Sequence, residues 1–362
     1  MLILYITYVS FDQAFSGSSV RPQKMYRAMT QEGHTVKLLS GSQNRDRRRE
    51  RWEAVAEVSR WMEDHRPDVC YIESPVYPIL WGFDRRLIRR VHRMGVPIGY
   101  FYRDFYWKFP DLYPRRRDLI GSLKERYLDM LQVKTDRLLE QCADIVYFPS
   151  MAAAAMFSFG DMRALPPAGE PGLLQSVGEK NTCIYVGGLS GAYGGETLLR
   201  AFSILNSGEE RYPLLLVCRE KEWRAVSPEL KRGDWLEVHH TSGSGLLPLY
   251  ERASLAVLPV QRTAYTDVAV NIKFFEYMSY GLPVASTDVT AIADLVKKNG
   301  VGSVSQGDPE SMAANIRAML ADEEQMERWR VNAADTLRSR NLWVHRVRQL
   351  TGELSGKNAR KR

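Results

Sequence analysis

Two α/β domains in tandem, each a doubly wound parallel sheet, are predicted by three observations. Short β-branched or aromatic runs alternate with amphipathic segments along the whole chain. A Pro- and Gly-rich break at 165–172 interrupts that alternation, which then restarts. The length of 362 residues suffices for two ordinary domains, and an apolar fraction of 44% with 26% charged residues excludes global disorder.

In order, Leu2–Tyr8 reads as a strand and Pro22–Gln31 as a helix stopped by Gly33. Thr35–Leu39 is the next strand. Glu50–Asp64 is a helix with Ala54, Val55, Val58 and Trp61 on one face. Strands Val69–Ile72, Pro97–Phe101 and Ile145–Phe148 follow, separated by helices Arg85–His92 and Gly121–Glu140. After the break come strands Cys183–Val186, Pro213–Cys218, Leu236–His239, Leu255–Pro259 and Pro283–Ser286. Their helices are Glu196–Leu205, Leu246–Arg252, Ile272–Tyr280, Ile292–Lys298, Pro309–Leu320 and Glu324–Arg340. A βαβα order of this kind makes parallel sheets with helices on both faces.

The expected division is a first domain at 1–165, a linker at 166–180, a second domain at 181–335, a helix at 336–355 and a basic tail at 356–362. In doubly wound sheets ligands bind at the carboxyl ends of strands, here between the domains. The formal charge is +7, of which residues 1–165 carry +6, so an anionic partner is expected on the first domain. Cys70, Cys142, Cys183 and Cys218 show no metal-ligand spacing or disulfide framework and fit buried thiols in a reducing cytoplasm. The opening residues read as a strand and not a signal peptide, and no apolar run is long enough to span a membrane.

The segment from Asn271 to Val284 is the most informative. Lys273 and Glu276 lie three apart on one face near a helix start. A cation and the helix dipole there suit a diphosphate, and a carboxylate one turn later suits ribose hydroxyls. Spacing alone is equally met by a surface Lys–Glu pair.

This segment resembles the donor-binding motif of family 4 glycosyltransferases, in its NKxxEYM variant. Tyr250–Pro259 resembles the family's YxxADxxVxPS strand, Tyr185–Ser190 its YVGRLS, Thr197–Phe202 its TLLxAF, and Ala143–Ser150 its ADxVxxxS. The resemblance implies the GT-B fold, two facing Rossmann-like domains, with the donor on the second and the acceptor on the first. It also implies a last helix that crosses back to the first domain, for which Leu342–Leu350 is available.

Carried over by position, Glu276 matches the glutamate that binds the nucleotide ribose. The second glutamate of the family, eight residues earlier, is Val268 here, with Asp267 beside it as a substitute. The family's phosphate-binding Arg and Lys are replaced by Gly188 and Tyr193. The donor-binding set is then Gly17, Ser18, Gly187, Gly188, Arg219, Lys221, Asp267, Asn271, Lys273 and Glu276, with Lys273 the leading phosphate partner.

On the acceptor side, Phe15–Pro22 follows the first strand and opens a helix. Gly17, Ser18 and Ser19 allow close backbone approach, or Ser19 simply caps the helix, while Arg21 pairs with a phosphate or with solvent. The strand ending at Phe101 leads to Arg103-Asp104, where the family commonly has His-Asp. Asp104 reads as a general base toward an acceptor hydroxyl or as the partner of Arg103, and Glu73 ends the neighbouring strand. Catalytic expectations therefore rest on Asp104, Lys273 and Glu276.

Basic and aromatic residues cluster at Tyr106–Arg117, with arginine runs at 45–51 and 85–93. They suit an anionic membrane surface carrying a polyprenyl- or lipid-linked acceptor, or are solvated helix faces. No nucleic-acid module is visible, and His239-His240 lack nearby metal partners. The resulting expectation is a retaining, metal-independent glycosyltransferase without a cofactor. It would use a nucleoside diphosphate sugar in bacterial surface polysaccharide or glycolipid assembly, in the cytoplasm or on the inner membrane face. An epimerase on the same fold and a non-catalytic nucleotide-sugar-binding subunit are the alternatives.

Overall fold

The computed structural model describes residues 1–11, 20–76, 78–113, 118–172 and 178–361. Two units divide the chain: Met1–Pro166 with Trp343–Arg362, and Pro167–Leu342.

The first unit is built on six parallel strands: β1 (Leu2–Ile6), β2 (Thr35–Leu39), β3 (Val69–Glu73), β4 (Ile98–Phe101), β5 (Ile145–Phe148) and β6 (Met162–Ala164). The spatial order is β2-β1-β3-β4-β5-β6. The helices are α1 (Val20–Gln31), α2 (Arg48–Asp64), α3 (Gly82–Arg93), α4 (Leu119–Cys142) and the short α5 (Met151–Ala154). β3, β4 and β5 are buried on both faces, which their unbroken apolar runs require. Strand order reverses between β1 and β3. With right-handed crossovers, α1 therefore lies on one face of the sheet and α2, α3 and α4 on the other.

The C-terminal helix (Trp343–Lys361) belongs to this first unit and packs on α1, β3 and β4. Gly99 on β4 makes room for it: a Cβ there would stand 3.1 Å from Leu354 and 3.4 Å from Leu350. Tyr147 donates to Glu353 at 2.8 Å, and Asp161 holds both Arg163 (2.9 Å) and Lys357 (2.8 Å).

The second unit also has six parallel strands: β7 (Cys183–Val186), β8 (Leu214–Val217), β9 (Leu236–His239), β10 (Leu255–Leu258), β11 (Val284–Thr287) and β12 (Gly302–Ser305). Their order is β12-β11-β10-β7-β8-β9. Around them run α6 (Gly195–Leu205), α7 (Glu220–Arg224), α8 (Leu247–Arg252), α9 (Ile272–Ser279), α10 (Thr290–Asn299), α11 (Pro309–Ala321) and α12 (Glu323–Thr336). Two apolar layers cover the sheet. One contains Phe202, Trp235 and Ile316, the other Phe274, Tyr277 and Val296. The reversal of strand order lies between β7 and β10, the place where such sheets bind ligands.

Three boundaries differ from expectation. Residues 167–169 are buried and do not form a free tether: Gly169 donates to Asn341 O at 2.9 Å, and Glu170 N donates to Ser279 Oγ at 2.9 Å. Residues 173–177 of the expected linker lie outside the described residues. The helix expected from 336 is broken by a π-type turn at Leu337–Asn341, and the first unit resumes only at Trp343. The basic tail, in turn, continues the last helix to Lys361.

The charge divides more sharply than the sequence halves suggested. The first unit holds 32 basic and 21 acidic residues, a formal +11, against 18 and 22 in the second, a formal −4.

Candidate functional site

In the second unit, β7 delivers the chain to Gly187 and Gly188 at the reversal point. Gly188 cannot carry a side chain without displacement: a Cβ would stand 2.9 Å from the Tyr193 ring and 3.1 Å from Glu222 Oε2. Tyr193 and Glu222 thus fill the space beside the glycine where the resemblance places an arginine. Glu222 Oε2 accepts from Leu189 N at 2.6 Å, and Arg219 lies 3.7 Å from the same carboxylate. Arg219 and Lys221 are exposed on the rim.

α9 starts at the predicted place. Asn271 is its N-cap, its side chain accepting from Lys273 N at 2.9 Å. Lys273 Nζ lies 2.8 Å from Glu276 Oε2, and Tyr250 OH donates to Glu276 Oε1 at 2.7 Å. Tyr280 stacks on Tyr250 with ring centroids 4.1 Å apart, fixing that hydroxyl. Glu276 is therefore held by two donors, both half-buried or deeper. Its geometry is that of a preset acceptor beside a lysine at the positive end of a helix.

Asp267 does different work. Its Oδ1 accepts from Thr290 N and Thr290 Oγ1, both at 2.9 Å, and pairs with Arg262 at 2.7 Å. These bonds join the loop after β10 to the start of α10 and draw its carboxyl below the usual range. Burial acts in the opposite sense on this group and is outweighed.

In the first unit, Gly17, Ser18 and Ser19 lie outside the described residues, as do Arg115, Arg116 and Arg117. Arg21 and Glu73, at the start of α1 and the end of β3, form a buried ion pair at 3.3 Å. Tyr71 OH donates to Glu73 at 3.1 Å, and the Arg21 guanidinium sits 3.6 Å over the Phe101 ring. Burial raises the Glu73 carboxyl, and Arg21 opposes it. The C-terminal helix adds Arg346, buried, donating to Pro166 O at 3.0 Å. Burial, with Arg21 nearby, brings its guanidinium down to about 10. A second buried arginine thus lies near the Arg21–Glu73 pair.

Arg103 and Asp104 pair with each other at 2.8 Å, both half-buried, and Arg103 N donates to Ser74 Oγ at 2.9 Å. Asp104 also lines a void of about 10 Å³ with Ser74, Tyr100, Tyr102 and Gln132, room for about one water. Asp104 is thereby placed as the partner of Arg103 at a small polar void.

Glu222, Tyr250, Tyr71 and Arg346 escaped the sequence reading. Only Tyr250 stood in a quoted motif, and no local pattern marks the other three as neighbours of these sites. All four cysteines are buried, and burial pushes the Cys218 thiol up to about 11, well away from reactivity. Among the described residues no group of three His, Cys, Asp or Glu is placed to hold a metal ion.

Residues 180–322 match the family model described as Glycosyl transferases group 1. That match falls within the second unit and includes Gly188, Glu222, Lys273 and Glu276. No curated protein matches the sequence. Solved structures share the fold over the whole length. Sucrose-phosphate synthase from Thermosynechococcus elongatus is 15% identical with a TM-score of 0.71, covering 99% of this chain and 100% of its own. WaaG, a glycosyltransferase involved in lipopolysaccharide biosynthesis, is 16% identical with a TM-score of 0.65, covering 96% and 98%. Anabaena HepE, solved in complex with UDP-glucose, is 13% identical with a TM-score of 0.62, covering 98% and 99%. The chain has the fold of these structures, the GT-B class with two doubly wound parallel sheets.

Proposed function

We propose that the protein transfers a sugar from a nucleoside diphosphate sugar to a hydroxyl acceptor. The observation that carries this reading is α9. Within the matched group 1 domain, an Asn271-capped helix presents Lys273 and Glu276 in its first turns, the lysine and the carboxylate already juxtaposed. On donor binding, Lys273 turns from Glu276 to the diphosphate, and Glu276 accepts from the ribose hydroxyls while Tyr250 keeps it oriented. The departing diphosphate gains charge in the transition state, and a cation beside a helix N-terminus stabilises it. Lys221 and Arg219 are exposed cations on the same unit that add to this field.

We take the reaction as retaining and metal-independent, with side-chain cations meeting the charge demand. The HepE complex with UDP-glucose supports uridine diphosphate as the first donor class to try. On the first unit we assign acceptor binding to Arg21, Glu73, Arg103 and Asp104, with Asp104 taking the acceptor proton. A lipid-linked acceptor in bacterial surface polysaccharide or glycolipid assembly fits the +11 charge of that unit. It would place the enzyme on the cytoplasmic membrane face. No described helix is long and apolar enough to cross a membrane.

The test is thermal-shift screening against nucleoside diphosphates, repeated on Glu276→Ala and Lys273→Ala. At least one diphosphate should stabilise the wild type, with less effect on both variants. Equal stabilisation of all three proteins would remove the site assignment. Glu222 favours a second reading, because it places a carboxylate at the glycine turn where the family resemblance expects a cation. Donor binding without transfer to any acceptor would favour a non-catalytic nucleotide-sugar-binding subunit.

A further inference from the structure

The helical layer α2–α3–α4 of the first unit carries a feature that sugar transfer itself does not use. A groove of about 420 Å³ lies between α2 and α3, with Leu87 in its floor and Trp52 at its rim. Arg60, Arg86, Arg90 and Arg93 line it, and no acidic side chain does. On α3 the arginines fall at i, i+4 and i+7 and so form one stripe. Like charges at that spacing repel one another along the helix. Among the described residues neither Arg86 nor Arg90 forms an ion pair. An anionic ligand would relieve that repulsion.

The neighbouring helix of the same layer has the complementary chemistry. Leu131, Leu138 and Leu139 of α4 are buried, yet Leu123, Tyr127, Met130 and Val133 are exposed by 67%, 48%, 43% and 49%. They fall on one side of the helix, interleaved with the exposed Arg126, Lys134 and Arg137, and no described residue covers this apolar row. Trp52 is likewise 54% exposed. Scattered exposed apolar residues need no explanation, but an aligned row beside an arginine groove does.

We propose that the α2–α3–α4 layer docks the protein on an anionic lipid surface. The arginine groove takes phosphate head groups, and the α4 row enters the boundary between head groups and acyl chains. The proposal deepens the peripheral location proposed above and rests on it. A soluble polyanion would satisfy the arginines but leave the Leu123–Val133 row in water. A bilayer interface offers both chemistries at once. The +11 charge of this unit, against −4 on the other, would orient the approach.

The experiment is co-sedimentation of the full chain with vesicles of phosphatidylcholine alone or with about 30% phosphatidylglycerol, a strongly anionic surface. Binding is expected on the anionic vesicles only, and salt should weaken it. Arg86→Gln with Arg90→Gln should lower partitioning about 25-fold, about fivefold for each basic group. Leu123→Ser with Met130→Ser should lower the fraction that survives high salt. These side chains are on the surface, so the variants fold. Binding that ignores the arginine changes, equal binding to neutral vesicles, or no binding at all would each overturn the proposal. Retention on heparin without vesicle binding would overturn it too, in favour of a soluble polyanion. Stabilisation by UDP is followed in parallel. Its loss in the wild type would count against the donor reading and leave the vesicle result standing.

Discussion

Glu222 Oε2 accepts from the backbone amide of Leu189 at 2.6 Å, so a carboxylate holds the amide just past the glycine turn after β7. A diphosphate approaching that turn meets a negative charge where a backbone donor would otherwise be open. Glu222 is only partly exposed, at 22%, so water screens it incompletely. Replacing Glu222 by Gln should therefore tighten nucleoside diphosphate binding about fivefold, a shift worth about 1 kcal/mol for one charge–charge interaction. Calorimetric titration with UDP measures it. Unchanged or weaker binding would show that the carboxylate does not oppose the phosphate.

Gly194 closes the same loop with φ +75°, and a Cβ there would stand 1.7 Å from Pro259 O. No side-chain rotation relieves a clash with backbone. Gly194→Ala should destabilise the second unit by about 2 kcal/mol or more, adding left-handed strain to the clash. It should also weaken diphosphate stabilisation, because the segments that follow β7 and β10 meet at this contact. A variant with unaltered urea midpoint would contradict the close approach.

Arg51 is fully buried. It grips Asp84 Oδ1 through Nε at 3.0 Å and Nη2 at 2.9 Å, and donates to the carbonyls of Thr7, Ser40 and Gly41. One guanidinium thus ties the segments leaving β1 and β2 to α3. Arg51→Met leaves the Asp84 carboxylate buried without its cation, which costs about 3–5 kcal/mol. Removing Asp84 as well should recover much of that loss, so the double variant should be more stable than the sum of the two single changes. Urea denaturation of the four proteins gives the coupling, and strict additivity would refute it.

The C-terminal helix is fastened partly by charge. The hydrogen bonds of Arg163, with help from Lys357, hold the Asp161 carboxyl below its usual value near 3.8. Because the folded value is depressed, the stabilisation is complete above the unfolded value. It is lost as pH falls through the folded one. Thermal unfolding between pH 6 and 3 should show this loss in the wild type, and Asp161→Asn should flatten that part of the profile. Parallel profiles would exclude Asp161 as a contributor.

The central strands were legible in the sequence because each is buried on both faces and must be apolar throughout. Ile145–Phe148 and Cys183–Val186 occur with the residues expected, as do the partly buried edge strands Thr35–Leu39 and Leu236–His239, which keep an apolar–polar alternation. β6 (Met162–Ala164) and β12 (Gly302–Ser305) were not foreseen. Both are edge strands of intermediate burial, and neither needs the apolar pattern that would announce it. The short α5 and α7 were missed because four or five residues cannot display a helical period. The break in the last helix at Leu337–Asn341 was also invisible, since the polar–apolar rhythm runs through it.

Local sequence alone determined the β–α alternation, the two sheets, the Asn271 cap and the shared face of Lys273 and Glu276. All of these depend on neighbours within a turn or on a strand's own burial. Tertiary structure decided which carboxylates meet which partners. Arg21 finds Glu73 across 52 positions, Glu222 finds Leu189 across 33, and Tyr250 finds Glu276 across 26. Such pairings follow from strand order and crossover geometry, and no residue's immediate neighbours encode them.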